Sequence, residues 1–263
     1  FLSAAKDALN AGIKLLVAIP EHVPIRDTME TIDLANQKGA IVIGPNTPGI
    51  MIPELIKIGI MPPMPFKAGK IAAEVREMVR VKDWIGKSVY EICEEVEGEI
   101  KKRGAKCAFP VNASINEIAA HYTAEPNDPI TIKDTDLVKI DLGAQINGYI
   151  ADTAVTVCYD AQFDGLVQAA EDALSSAMSM IKTGVKASDI GRTIESTIKQ
   201  MGFKPIANLS GHSLEQYTIH AGRSIPNIWS IGGFSLSENT AYACEPFVTT
   251  EQGGGFVRNG KIK

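Results

Sequence analysis

No apolar run in the 263-residue chain approaches the ~18 residues that a membrane-spanning helix requires. The longest candidate, "LLVAI", reads as a buried strand. No long run carries charge of one sign, and the formal net charge is −5, so no nucleic-acid-binding surface is expected. Cysteine is sparse: Cys93, Cys107, Cys158 and Cys244 include no C-x-x-C pair. That argues against a disulfide frame or a zinc knuckle and for reduced thiols in a cytoplasmic protein. No basic leader is visible. The chain opens at Phe1 already in the helical pattern "FLSAAKDALNAG", which reads as a fragment missing its beginning. Repeats of about 20–50 residues and low-complexity tracts are absent too. Hydrophobic residues make up 45% and charged residues 22%, enough for one large or two modest domains.

The first third reads helix, strand, helix, strand. "SAAKDALNAG" has helical spacing and stops near Gly12. "KLLVAI" and "AIVIG" are continuous apolar runs of strand length, separated by the amphipathic "IRDTMETIDLANQKG". Apolar strands joined through a helix predict a parallel pair in an α/β layer. "GPNTPGIMIPELIKIGIMPPMPF", rich in Pro and Gly, reads as loop, with a domain boundary near Phe66. Two helices are then expected ("AGKIAAEVREMVRVKDWI" and "VYEICEEVEGEIKKRG"), followed by mixed structure, a hairpin at 138–157, two more helices, and short strands to the end.

That hairpin, "VKIDLGAQINGYIADTAVTV", carries an aspartate inside each of two apolar strands. Asn147-Gly148 is a favoured two-residue turn. With those two at the tip, Asp141 faces Ala154 and Asp152 faces Gly143. The period of two then puts both carboxylates on one face, diagonal to each other. Two ionised carboxylates on a half-buried face need a positive partner. Lys139 shares the face, so a structural ion pair is one reading; a metal held by oxygen and nitrogen ligands is the other. Further donors stand in similarly apolar settings: His212 in "NLSGHSLEQY", His220 in "YTIHAGRSIP", His121 in "EIAAHYT" and Glu245 in "YACEPFVTT". Each alone has a bland explanation, and together they form an unusual set.

From about Ala68 onward the chain resembles type II methionine aminopeptidases of the archaeal kind, in peptidase family M24. The matching pieces are "AGKIAAEVRE", "AFPVNASINEIAAHYT", the aspartate hairpin, "FKPIANLSGHSLEQYTIHAGRSIPN" and "ACEPFVTT". The resemblance implies a pita-bread fold, an α/β architecture with a curved, mostly antiparallel sheet flanked by helices in two related halves. It implies a cytoplasmic metallo-aminopeptidase that removes methionine from nascent polypeptide N-termini, with two divalent ions (Co, Mn, Fe or Zn). Asp141, Asp152, His212 and Glu245 would be metal ligands, Asp152 bridging. His121 and His220 would be catalytic groups contacting the substrate, and Phe109 and Ile219 would line the methionine pocket.

The family uses one more glutamate, in a strand that would follow Lys263. The chain is therefore read as C-terminally truncated, with weak metal binding and impaired activity expected. Residues 1–66 resemble part of the α subunit of succinyl-CoA synthetase. They are expected to form a partial Rossmann-like βαβ segment without independent ligase function, joined to an aminopeptidase-like domain at 67–263, as in a chimeric gene. The alternative to an enzyme is an inactive pita-bread binding protein. A prolidase is disfavoured by the "NLSGHSLEQYTIHAG" match.

Overall fold

The computed structural model describes residues 1–52, 56–59 and 63–260. The chain divides into two compact units, Phe1–Lys67 and Ala68–Lys263.

In unit 1, α1 (Leu2–Asn10) leads into β1 (Leu15–Val17), α2 (Ile25–Lys38) and β2 (Ile41–Ile43). β1 and β2 pair in parallel, Leu15 opposite Ile41, so α2 is the crossover of a βαβ unit. α2 ends at Gly39, whose φ of 60° gives a left-handed cap that a side chain disfavours. Leu9, Ala35 and Ala40 form a small core. The Pro/Gly-rich stretch expected to be loop instead contains an antiparallel pair, β3 (Gly49–Ile52) and β4 (Ile56–Gly59). "GIMI" and "IKIG" are β-favouring apolar segments, and that preference outweighs the flanking turn residues. Residues 53–55 and 60–62 of the stretch lie outside the described residues. The next helix, α3 (Pro63–Val81), begins ahead of the expected boundary. Proline is tolerated in a first helical turn, where its missing N–H costs nothing.

Unit 2 runs through the same order twice, a helix pair followed by antiparallel strands. The first half comprises α3, α4 (Val89–Lys102), β5 (Lys106–Cys107), β6 (Asn112–Ile115), β7 (Leu137–Ile146) and β8 (Tyr149–Cys158). The second comprises α5 (Asp164–Met180), α6 (Ala187–Gln200), β9 (Lys204–Pro205), β10 (Ser210–Leu214), β11 (Ser224–Pro226), β12 (Ala241–Ala243) and β13 (Val248–Thr249). Ser88 caps α4 through a box with Glu91, the two residues exchanging hydrogen bonds. Along β7 the even positions, Val138, Ile140, Leu142 and Ala144, are fully buried. They pack with Val75 and Val79 of α3 and with Ile92, Val96 and Ile100 of α4. The odd positions, Lys139, Asp141, Gly143 and Gln145, face the other way. In the second half an alanine stripe on α5 (Ala169, Ala173, Ala177) has no bulk of its own, and Ala173 and Ala177 pack with Ile190, Ile194 and Ile198 of α6.

β7 and β8 pair without a bulge, Asp141 opposite Ala154 and Asp152 opposite Gly143, as the hairpin arithmetic requires. The irregularity lies on the other edge of β7. Cys107 pairs with Ala144 and Asn112 with Asp141, so Ala108–Val111 span only Leu142 and Gly143. The extra backbone forms a bulge that lifts Phe109 off the strand line. Beyond β13, residues 254–260 form no strand despite their alternating pattern.

Replacing Ile140 by Ala removes a fully buried side chain at the sheet–helix interface. It is expected to cost about 2–5 kcal/mol in urea unfolding of unit 2. A loss under about 1 kcal/mol would mean that this face does not pack as described.

Candidate metal centre

Three strands and the segment just beyond a fourth bring the candidate ligands together. Asp141 and Asp152 share a face of β7–β8 and sit one diagonal step apart. In the second half, His212 on β10 pairs with Ala243 on β12. Glu245 lies two residues beyond Ala243, the end of β12, and its carboxylate reaches the His212 ring. Each half of unit 2 thus contributes two donors.

The two pairs converge. His212 Nε2 lies 3.4 Å from Asp152 Oδ2 and 3.1 Å from Glu245 Oε1. Ligand atoms of Asp152, His212 and Glu245 all fall within 4.8 Å of one another, the only such group among the described residues. His212 is buried, at 8% exposure. Asp141 stands outside this trio but feels the charges of Asp152 and Glu245. Burial, then the repulsion from those two carboxylates, pushes its carboxyl up to about 8. Burial works against the His212 cation, yet the adjoining carboxylates of Asp152 and Glu245 win and push the imidazole up to about 10.

The ion-pair reading through Lys139 does not hold. Its Nζ donates to the backbone carbonyl of Asn116 at 2.7 Å. Burial lowers that ammonium to about 8, partly opposed by Glu117. The site therefore sets three carboxylates against one imidazole. Glu245 Oε1 is buried and receives no well-directed hydrogen bond, despite the nearby His212 nitrogen. An orphaned carboxylate oxygen, a surplus of negative charge and a donor set of oxygens and one nitrogen fit a divalent cation.

The remaining expected residues occupy the surroundings to different degrees. The His220 ring stands edge-on to His212, with centroids 4.3 Å apart. Ile219 precedes it and is half-buried. The Phe109 ring lies over Gly143, where an added Cβ would sit 2.3 Å from ring carbon Cε1. Gly143 is the cross-strand partner of Asp152, so the ring borders the ligand face. His121 is exposed, with a left-handed φ of 64°, and makes no hydrogen bond or ring contact with the cluster. The adjacent Tyr122 is tied to β6, its carbonyl accepting from Ala113 N–H at 2.8 Å. The sequence reading did not single out Gly143 as a slot for an aromatic ring. A glycine inside an apolar strand, two residues from an acid, is the signal that could have found it.

The family model of metallopeptidase family M24 matches residues 66–261. A methionine aminopeptidase of Pyrococcus abyssi is 50% identical over 188 residues, covering 71% of this chain and 64% of that protein. One from Methanocaldococcus jannaschii is 43% identical over 196 residues, covering 74% and 66%. The curated relatives it matches are thus spanned over somewhat less than two thirds of their length. Among solved structures, methionine aminopeptidase from Thermotoga maritima superposes with a TM-score of 0.64 at 30% identity, covering 70% of this chain and 78% of that one. A prolidase from Pyrococcus furiosus superposes at 0.62 and 20% identity over 93% of this chain and 72% of its own, a likeness of fold alone. These neighbours identify the architecture of unit 2 as the pita-bread fold.

Both raised pKa values have the same consequence. Asp141 binds its proton more tightly folded than unfolded between its ordinary 3.8 and about 8. His212 does so between 6.5 and about 10. The folded state holds more protons, so stability of the EDTA-treated chain falls as pH rises from 6 to 9. Saturating Mn²⁺ flattens this slope, because the cation takes over the protons' role. Thermal melts at several pH values check it; a metal-free midpoint that climbs with pH would contradict the charge balance described.

Proposed function

The chain belongs to metallopeptidase family M24, and on that premise we propose that it removes N-terminal methionine from nascent polypeptides in the cytoplasm. The observation that carries the reading is the cluster of Asp152, His212 and Glu245, with Asp141 one diagonal step away, in a chain whose relatives are methionine aminopeptidases. No helix among the described residues is long and apolar enough to cross a membrane. In this reading Asp141, Asp152, His212 and Glu245 would hold two divalent ions. Carboxylate and imidazole donors suit Co, Mn, Fe or Zn. When bound, such ions supply Lewis acidity toward the scissile carbonyl and toward a nucleophilic water.

The chain's own residues do the rest. The carboxylates are held on paired strands, so their separation does not have to be organised during the reaction. His220, against the His212 ring, and His121, on the loop fastened to β6, serve the substrate carbonyl. There they stabilise negative charge as it develops on the oxygen. Phe109 and Ile219 provide apolar walls for an unbranched thioether side chain. The contact of the Phe109 ring with Gly143 supports this, because it puts an aromatic surface beside the ligand face. For residues 1–66 we infer a βαβ segment of the CoA-ligase kind; the parallel β1–β2 pairing across α2 supports that reading.

The test is release of methionine from Met-Ala-Ser by the purified chain with each of Co²⁺, Mn²⁺, Fe²⁺ and Zn²⁺. Turnover is expected with at least one ion, and its size decides whether activity is impaired. Asp152→Asn is expected to reduce it at least about 100-fold, together with metal affinity. His220→Ala is expected to lower kcat/KM by about 10²–10³ while metal binding by calorimetry stays intact. Metal binding without cleavage of any Met-peptide would sink the enzymatic reading in favour of a binding protein.

A further inference from the structure

The segment that carries Ile219 and His220 is fastened at two places. At its base, Ser213 of β10 accepts from Ala221 N–H at 2.8 Å and donates its own N–H to the Arg223 carbonyl at 2.8 Å. The Ser213 hydroxyl also accepts from Arg223 N–H at 3.2 Å. At its tip, Glu215 and Thr218 exchange both backbone hydrogen bonds at 3.0 Å, so Gln216 and Tyr217 form a tight turn. Tyr217 takes a left-handed φ of 62° there, a conformation that a side chain disfavours.

This tip sits on another tip. Tyr217 N–H donates to the Gly148 carbonyl at 2.8 Å. Gln216 Nε2 donates to the Asn147 carbonyl at 2.8 Å. The Tyr217 ring lies so close over Gly148 that a Cβ there would come within 2.4 Å of ring carbon Cδ2. Gly148 N–H is in turn held by Gln145 Oε1 at 2.9 Å. Asn147-Gly148 is the turn of the β7–β8 hairpin, whose strands carry Asp141 and Asp152. Tyr217 is 73% exposed, so no hydrophobic core demands it at this position.

We propose that the Tyr217 ring on Gly148 is a positioning latch. It locks the turn of the second-half loop onto the turn of the first-half hairpin and so holds Ile219 and His220 over the ligand cluster. The latch joins the two halves of the site on its substrate side, where no ligand joins them. Tyr217 acts through Ile219 and His220, so its loss weakens both substrate binding and stabilisation of the developing charge and leaves the metal ligands in place. The Tyr217 hydroxyl makes no hydrogen bond among the described residues, so the ring alone should suffice. The kinetic consequence rests on the aminopeptidase reading; the loop's fastening does not.

The experiment compares the full chain with Tyr217→Ala and Tyr217→Phe, by amide hydrogen exchange and by Met-Ala-Ser kinetics. In Tyr217→Ala, exchange at Tyr217–Ala221 is expected to accelerate about tenfold, with β7–β8 unchanged. kcat/KM is expected to fall about tenfold, through KM by way of Ile219 and through kcat by way of His220, while metal affinity by calorimetry stays unchanged. Tyr217→Phe should match the parent in both. The proposal is overturned if Tyr217→Ala leaves loop exchange unchanged, if exchange accelerates while kcat/KM does not move, or if Tyr217→Phe behaves like Tyr217→Ala. If the parent chain cleaves no peptide, the aminopeptidase reading fails separately. Loop exchange, with the His220 imidazole resonances as reporter of its contact with His212, then decides the latch.

Discussion

Three carboxylates gathered around one imidazole are the constraint on which the rest of unit 2 depends. Two unit charges 4 Å apart interact by about 4 kcal/mol where the effective dielectric constant is near 20. One imidazolium can offset one such neighbour, and here there are three. A chain confronted with that repulsion could splay the acids apart, neutralise them or supply another cation. Splaying is resisted because each acid is anchored in, or directly beyond, a hydrogen-bonded strand. Neutralisation is visible in part, as the raised carboxyl of Asp141 and the raised imidazole of His212. The orphaned oxygen of Glu245 marks what protons alone leave unsatisfied.

Keeping the acids together requires stiffness from elsewhere. The opposite face of β7 supplies it, with Val138, Ile140, Leu142 and Ala144 fully buried against α3 and α4. A strand clamped by alternate side chains cannot slip by one residue without exposing its whole apolar set. The same alternation that buries the even positions therefore fixes where the odd ones point. Lys139 shows how specific the arrangement is. It lies on the acid face two residues from Asp141, yet its ammonium is drawn off by the Asn116 carbonyl, leaving the cluster's charge uncancelled.

The surroundings of the cluster are built from backbone irregularities. The bulge at Ala108–Val111 brings the Phe109 ring over Gly143, and a left-handed turn seats Tyr217 on Gly148. Both contacts exploit a glycine on the hairpin that carries the aspartates, where the absent Cβ lets a ring reach the backbone. Acids held on or just beyond strands and rings presented by loops divide the cluster's surroundings between two kinds of structure.

Much of this was legible from residues alone. The Asn147-Gly148 turn and the period of two were enough to pair Asp141 with Ala154 and Asp152 with Gly143, because hairpin register is a local property. The parallel β1–β2 pair and the glycine ends of α2 and α4 followed from equally local rules. Misjudged were β3–β4, where turn residues masked two short strands, and the start of α3, where proline opens a helix rather than ending a loop. The meeting of Asp152 with His212 and Glu245 came into view through family resemblance, since no spacing rule links positions so far apart in the chain. Packing decided that Lys139 turns away, that Phe109 covers Gly143 and that Tyr217 covers Gly148. Local pattern determines which face of a strand a residue occupies; which distant face it meets depends on how helices and sheets close together, and only the folded chain settles that.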